Sequence, residues 1–476
     1  MLFNSFEYLL FLPTVFILYW FVFKKNLKLQ NAFLLVISYF FYGLWDWRFL
    51  SLIIFSSIVD FYCGKAIDSA SKQSSKKTWL TISMLVNLGF LGVFKYYNFF
   101  AKEFAEACSS FGFQVDALTL DIILPVGISF YTFQTMSYTI DVYREKLKPS
   151  KDIIAFFAFV SFFPQLVAGP IERATNLLPQ FYTKRNFDYK KAVDGLRQIL
   201  WGLFKKIVVA DNCAEVVNHI FENQADINAS GLFVGAIFFA FQIYGDFSGY
   251  SDIAIGTSRL FGFNLMQNFA FPYFSRDIAE FWRRWHISLS TWFRDYVYIP
   301  LGGSRGGTWM KIRNTFIIFL VSGFWHGSNW TFLIWGLLNA IYFLPIMLLN
   351  RNRINTDTVA QGKYIFSIKE FFQISITFFL TIIAWIFFRA TSVTEAVQYI
   401  GSMFNASLFQ FPNADIKPFL YILILITIEW FQREKQHGLV LDHIKIAPIR
   451  WAIYAFIFCL ILFFGAKSES FIYFQF

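Results

Sequence analysis

The sequence predicts an all-α integral membrane protein that crosses the bilayer many times, and three observations predict it. Of 476 residues, 57% are hydrophobic and only 15% are charged, where a soluble domain carries about a quarter. The runs 8–23, 29–45, 78–94, 122–140, 153–171, 227–245, 314–350, 371–388 and 451–466 hold no Asp, Glu, Lys or Arg, and a helical crossing needs roughly 17–25 apolar residues. The loops between the early runs alternate in charge, as the two faces of a membrane require. That many apolar runs cannot hide in one aqueous core. A soluble enzyme, a nucleic-acid-binding protein and a secreted disulfide scaffold are excluded.

The first run starts almost at Met1, lacks a basic leader and is followed by Lys24, Lys25 and Lys28. It reads as a retained first transmembrane helix, not as a cleaved signal. After the third helix, expected at about 49–62, come Lys65, Lys72, Lys76 and Lys77 against Asp68 alone, whereas the loop 101–121 carries Glu103, Glu106, Asp116 and Asp121. Basic loops stay inside, so the N-terminus is expected outside the cytoplasm. The run from 122 ends at Arg144, Lys146, Lys148 and Lys151. The next, 153–171, contains Pro164, Gly169 and Pro170 and has basic residues on both sides. It reads as re-entrant, backbone that is tolerated at membrane depth only inside protein or along a cavity.

Segment 275–313 holds Arg276, Arg283, Arg284, Arg294, Arg305, Lys311 and Arg313 against Asp277, Glu280 and Asp295, and is expected as helices lying in the cytoplasmic interface. The 37-residue run 314–350 would make a straight helix of roughly 55 Å, too long for a hydrocarbon core of ~30 Å, so a break is expected at Gly327-Ser328-Asn329. Spans at 371–388, 418–429 and 451–466 follow. In all, about 11 crossings with re-entrant and interfacial pieces are expected, in a single polytopic domain covering 1–476 whose core motifs lie at about 122–350. No internal repeat is visible. The net charge of +10 is spread over short loops, which fits cytoplasmic contact with anionic lipid rather than nucleic acid. Four cysteines lack CxxC spacing and read as free thiols. No metal-binding spacing is present.

His326 stands deep in an apolar run, in Gly323-Phe324-Trp325-His326-Gly327, 13 residues beyond Arg313. On a helix that is about 20 Å along the axis. An ionisable group at such depth is expensive and a functional candidate by default. A neutral imidazole there suits a general base acting on a hydroxyl, and a core histidine bonded across helices is the plainer alternative. His286 follows Phe281-Trp282-Arg283-Arg284-Trp285. Trp282, Trp285 and Leu289 have the spacing of one apolar helix face, which favours an amphipathic interfacial helix over arginines that bind a phosphate-bearing donor. Tyr244-Gly245-Asp246-Phe247-Ser248-Gly249-Tyr250-Ser251-Asp252 ends an apolar run with two carboxylates and two serines. Its glycines permit a bend or a close helix approach, and helix capping explains it equally well. Gly302-Gly303-Ser304-Arg305-Gly306-Gly307 lacks the GK[ST] of a P-loop.

Taken together, the motifs Phe163-Pro164-Gln165-Leu166-Val167-Ala168-Gly169-Pro170-Ile171, Tyr244 to Asp252, Phe281 to Ser290, Arg294-Asp295-Tyr296, Tyr298 to Gly303, Trp325-His326-Gly327 and Phe471 to Phe476 resemble the membrane-bound O-acyltransferase family. Within it they resemble the membrane subunits of bacterial alginate O-acetyltransferases. The likeness runs in consistent order over nearly the whole chain. It implies a ring of transmembrane helices around a thinned centre pierced by a tunnel. It implies a cytosolic acyl-thioester donor, here acetyl-CoA. His326 matches the family's essential histidine and His286 its second polar position. Asp246, Ser248, Trp325 and Asn329 then become tunnel and orienting residues, and Arg283, Arg284 and Arg294 the donor-phosphate contacts. The implied setting is the bacterial inner membrane, with a separate periplasmic partner of the SGNH-hydrolase type placing the acetyl group on an exported polysaccharide. A polar-glycan transporter without acyl chemistry and a non-catalytic scaffold are the competing functions.

Overall fold

A computed structural model describes residues 1–167, 169–467 and 469–472. Ala168 of the 163–171 motif, and 473–476 of the C-terminal motif, lie outside them. The described residues are helical with no strand. Six helical stretches among them are long and apolar enough to cross a membrane: Leu27–Ser69, Gln73–Ser110, Ala229–Leu260, Trp330–Leu348, Ile368–Arg389 and Ala447–Phe464. Shorter apolar helices cover Phe6–Val22, Ile153–Leu166 and Pro418–Gln432. The chain is a multi-pass membrane protein. Large hydrophobic side chains such as Phe372, Leu423 and Phe463 stand exposed on these helices, where they meet lipid.

Two compact units divide the chain. The first comprises Met1–Gly195 with Thr257–Met266. Its helices Leu50–Ser69, Gln73–Leu91 and Ile128–Tyr143 pack on one another around the buried carboxylate of Asp60. Ser83 Oγ donates to that carboxylate at 2.5 Å and Asn87 Nδ2 at 2.9 Å, as a buried polar group requires. The crossing expected from 122 begins only at Ile128. Pro125 cannot donate to a helix ladder, and Gly127 takes a left-handed φ of 74°, so the helix starts there. The segment expected as re-entrant is an eight-residue helix, Ile153–Val160, followed by a separate turn at Phe163–Leu166, buried throughout 158–166.

The second unit comprises Leu196–Gly256 and Gln267 onward. Two expectations are corrected here. The Tyr244–Asp252 motif does not end a helix; it lies within Ala229–Leu260, 32 residues long. The helix continues because its carboxylates are neutralised internally: Lys206 Nζ pairs with Asp246 at 2.8 Å and Lys205 Nζ with Asp252 at 2.6 Å. Both lysines sit on a π-helical turn, Phe204–Ala210. The glycines provide close approach: a Cβ on Gly249 would lie 2.8 Å from the Gly202 carbonyl oxygen, and one on Gly202 2.5 Å from that of Gly249. Gly249→Leu is therefore expected to destabilise by about 1–3 kcal/mol or more through overpacking. Gly89→Leu, where a Cβ meets nothing within 4 Å, is the control, with thermal unfolding in detergent as the measurement.

The second correction concerns 281–289. This is not one amphipathic helix but two short ones, Ile278–Arg284 and Ile287–Phe293, separated by extended Trp285 and by His286 at φ 43°. The backbone explains the break. Ala270 N–H donates to Arg284 O at 2.9 Å and Ile287 N–H to Asn268 O at 2.9 Å, so the groups that would continue the helix are taken by segment 268–270.

Candidate functional site

His326 ends the helix Thr308–His326. Gly327 is extended, and Asn329 caps the returning helix Trp330–Leu348 by accepting from Thr331 N–H at 3.0 Å. The break thus falls where the run length demanded it. The two helices pack closely on each other because glycines line the crossing. A Cβ on Gly323 would lie 2.2 Å from Phe332 O, and one on Gly336 2.4 Å from Phe319 O. This crossing fixes His326, which is 4% exposed, inside an aromatic box. Its ring centroid lies 4.9 Å from Trp325, 5.1 Å from Trp335 and 5.3 Å from Phe388. Trp385 backs the box, 5.8 Å from Trp335 and 5.2 Å from Phe388.

His286 also approaches Trp325, with ring centroids 6.2 Å apart, so one indole neighbours both imidazoles. His286 Nδ1 is 3.1 Å from Asn268 Oδ1. The orientation of that amide follows from its other partners: Asn268 Nδ2 donates to Ser251 Oγ at 3.0 Å, and Ser288 Oγ donates to Oδ1 at 2.8 Å. The network therefore assigns the proton to Nδ1 and leaves Nε2 as the acceptor nitrogen. Burial pushes the His286 imidazole down to about 3, so it stays neutral.

A cleft of about 530 Å³ runs beside the histidine helix. Arg294, Lys311 and Arg353 line it together with Tyr298 and Ser304, and further in Thr315, Ile318, Phe319 and Ser322. Lys311 and Ser322 stand 11 residues apart on one helix, roughly 16 Å, and Ser322 is one turn before His326. The cleft is thus cationic at one end and apolar with hydroxyls toward the histidine.

The remaining expected site residues are distributed as follows. Arg283 donates to the carbonyl oxygens of Asn352 at 2.7 Å and Asn355 at 2.6 Å. Arg284 donates to Asp357 O at 2.9 Å and pairs with Glu280 at 2.9 Å. They fold the 352–357 loop over the cleft rather than lining it. Arg294 lines it directly. Asn329 caps a helix and donates to Thr391 O at 2.9 Å. Ser248 accepts from Lys205 Nζ at 2.9 Å, and Asp246 is held by Lys206. Sequence reasoning missed Asn268, Trp335, Phe388, Lys311 and Arg353. For the buried lysines a signal was present: Lys205-Lys206 stands between Leu203-Phe204 and Ile207-Val208, two cations in an apolar stretch that call for acidic partners.

Among the described residues no group of three or more His, Cys, Asp or Glu side chains converges as a metal site. Residues 144–388 match the sequence profile of the membrane-bound O-acyltransferase family. Over 86% of its length the chain is 40% identical to a Pseudomonas aeruginosa protein designated "probable alginate O-acetylase", of which the match covers 76%. It is 36% identical to a Helicobacter pylori peptidoglycan O-acetyltransferase, over 83% of this chain and 77% of that one. It is 29% identical to a Bacillus subtilis teichoic acid D-alanyltransferase, over 46% of this chain and 58% of that one.

Proposed function

The chain belongs to the membrane-bound O-acyltransferase family and is a multi-pass membrane O-acyltransferase, and from that premise we propose that it carries an acetyl group from cytosolic acetyl-CoA across the bacterial inner membrane for O-acetylation of an exported polysaccharide. The relatives named for alginate and for peptidoglycan support an envelope glycan as the final acceptor. A separate periplasmic protein of the SGNH type completes the transfer, the N-terminus lies on the periplasmic side, and about 11 crossings surround a tunnel.

The observation that carries this reading is the cleft lined by Arg294, Lys311 and Arg353 and, further along the histidine helix, by Ser322, one turn before His326. A thioester donor has an anionic phosphate end, a long arm and a small acyl head, in that order. Fixed cations suit the phosphates, and the narrow, largely apolar stretch suits the arm. At the inner end the His326 imidazole takes the proton of an acceptor hydroxyl. The oxygen attacks the thioester carbonyl, and collapse of the tetrahedral intermediate breaks the C–S bond. The proton then passes from the imidazolium to the leaving thiolate. His286, neutral and held by Asn268, presents an acceptor nitrogen beside Trp325.

Membranes containing the protein are expected to transfer label from [14C]acetyl-CoA to envelope polysaccharide. In the same assay Lys311→Glu and Arg353→Glu are expected to raise the donor KM with little change in kcat. A charged hydrogen bond is worth about 1.5–3 kcal/mol, so each reversal should cost roughly tenfold or more in affinity. Polysaccharide export that proceeds without the coenzyme, with no label transferred, would return the chain to a transport role.

A further inference from the structure

Asp246 and Lys206 take no part in the chemistry above, and their partners include segment 469–472. Asp246 Oδ2 accepts the Ile472 N–H at 2.6 Å. Lys206 Nζ, besides pairing with Asp211 at 2.7 Å and Asp246 at 2.8 Å, donates to the Glu469 carbonyl oxygen at 3.0 Å. Ala466 N–H reaches Ile207 O at 3.3 Å. Phe471 has no exposed surface and Ile472 is 2% exposed. The Phe471 ring packs on Tyr250 at 4.5 Å and on Phe247 at 6.0 Å. Phe247 in turn sets its ring edge-on to His286, with centroids 4.6 Å apart at 88°. Phe247 directly follows Asp246 on the helix, so the residue that holds the tail's backbone and the residue that meets both the tail and the histidine are neighbours.

We propose that segment 469–472 is a positioning element for His286, with Phe471 acting through Phe247 and with Lys206 and Asp246 as its anchor. His286 Nδ1 is 3.1 Å from Asn268 Oδ1 and 3.4 Å from Ser288 Oγ. Its ring also stacks on Phe269, with centroids 6.3 Å apart, lies 6.2 Å from Trp325 and meets the edge of Phe247. Removing Phe471 takes away the support behind Phe247 and lets it rotate, and His286 follows. Phe471 does not touch the cleft, so donor affinity is not its concern.

The kinetic part of the test rests on the acetyl-CoA reading above; the spectroscopic part does not. In full-length protein labelled with 15N-histidine and held in detergent, the His286 resonance is assigned by its loss in His286→Gln. Phe471→Ala is expected to shift that resonance and to lower kcat for label transfer from acetyl-CoA roughly 10- to 100-fold, the scale of a small misplacement at a reacting centre, with donor KM unchanged. Phe471→Leu, which keeps much of the apolar bulk, is expected to restore part of both. Asp246→Asn, which keeps the side chain's shape and loosens the tail, is expected to move the resonance in the same direction and serves if Phe471→Ala does not accumulate. A His286 resonance at its wild-type position in both Phe471→Ala and Asp246→Asn would overturn the proposal, as would a kcat loss matched by an equal loss of folded protein. If wild-type protein transfers no acetyl label, the donor reading fails, and the resonance alone decides the role of the tail.

Discussion

His326→Ala is expected to lower acyl transfer by roughly 10²- to 10⁴-fold, the range assigned to a positioned general acid–base group, while the protein remains in the membrane at wild-type abundance. The two halves of that result are separable because of how the residue is held. Its helix is fixed by the glycine crossing at Gly323 and Gly336, which the substitution does not touch. The box formed by Trp325, Trp335 and Phe388 is braced independently: Trp335 stacks on Trp385, and Phe388 meets Phe332 at 4.9 Å. An imidazole removed from such a frame leaves a small cavity, not a disrupted fold. The measurement is label transfer from [14C]acetyl-CoA, normalised to protein quantified in the membrane fraction. Activity within tenfold of wild type at equal abundance would remove His326 from the proton-transfer role and leave it a packing residue.

The position of His326 was legible because two constraints met there. A 37-residue uncharged run must break somewhere, and Gly-Ser-Asn is the breaker, so a histidine just before the break had to be both deep and at a helix end. The helices themselves were legible for the same reason: charge is too costly in lipid to be scattered through a span. What was not legible depended on partners distant in sequence. The spacing of Trp282, Trp285 and Leu289 fits a helix, but the helix ends at Arg284 because segment 268–270 takes its backbone bonds, which no local pattern reveals. Arg283 and Arg284 look like phosphate ligands in a list of cations. In the fold Arg283 donates to carbonyl oxygens of the 352–357 loop and Arg284 to Asp357 O and the Glu280 carboxylate, and no local pattern reveals the loop contacts. The carboxylates of the 244–252 motif looked like a helix end until Lys205 and Lys206 supplied the opposite charge in mid-helix.

Lys206→Met is expected to be the most destabilising single substitution in the second unit, by about 3–5 kcal/mol, the cost of stripping one partner from a buried ion pair. The Lys206 side chain is fully buried, and its ammonium lies between two carboxylates, Asp211 and Asp246, that are 2% and 4% exposed. Methionine matches its length and apolar stem, so packing is nearly conserved and the effect isolates charge. Two negative groups would then face one another without a cation, and the Glu469 carbonyl would lose its donor as well. The sign can be checked by cancelling those charges. Lys206→Met combined with Asp211→Asn and Asp246→Asn should be more stable than Lys206→Met alone, a non-additivity that residues in one network show and independent sites do not. Arg48→Met, which removes an ion pair whose arginine side chain is 59% exposed, should leave unfolding unchanged, since exposed pairs contribute little. Thermal unfolding of the four proteins in one detergent decides the matter: a triple variant no more stable than Lys206→Met would mean that the lysine stabilises through its alkyl packing, and that the carboxylates around it tolerate each other.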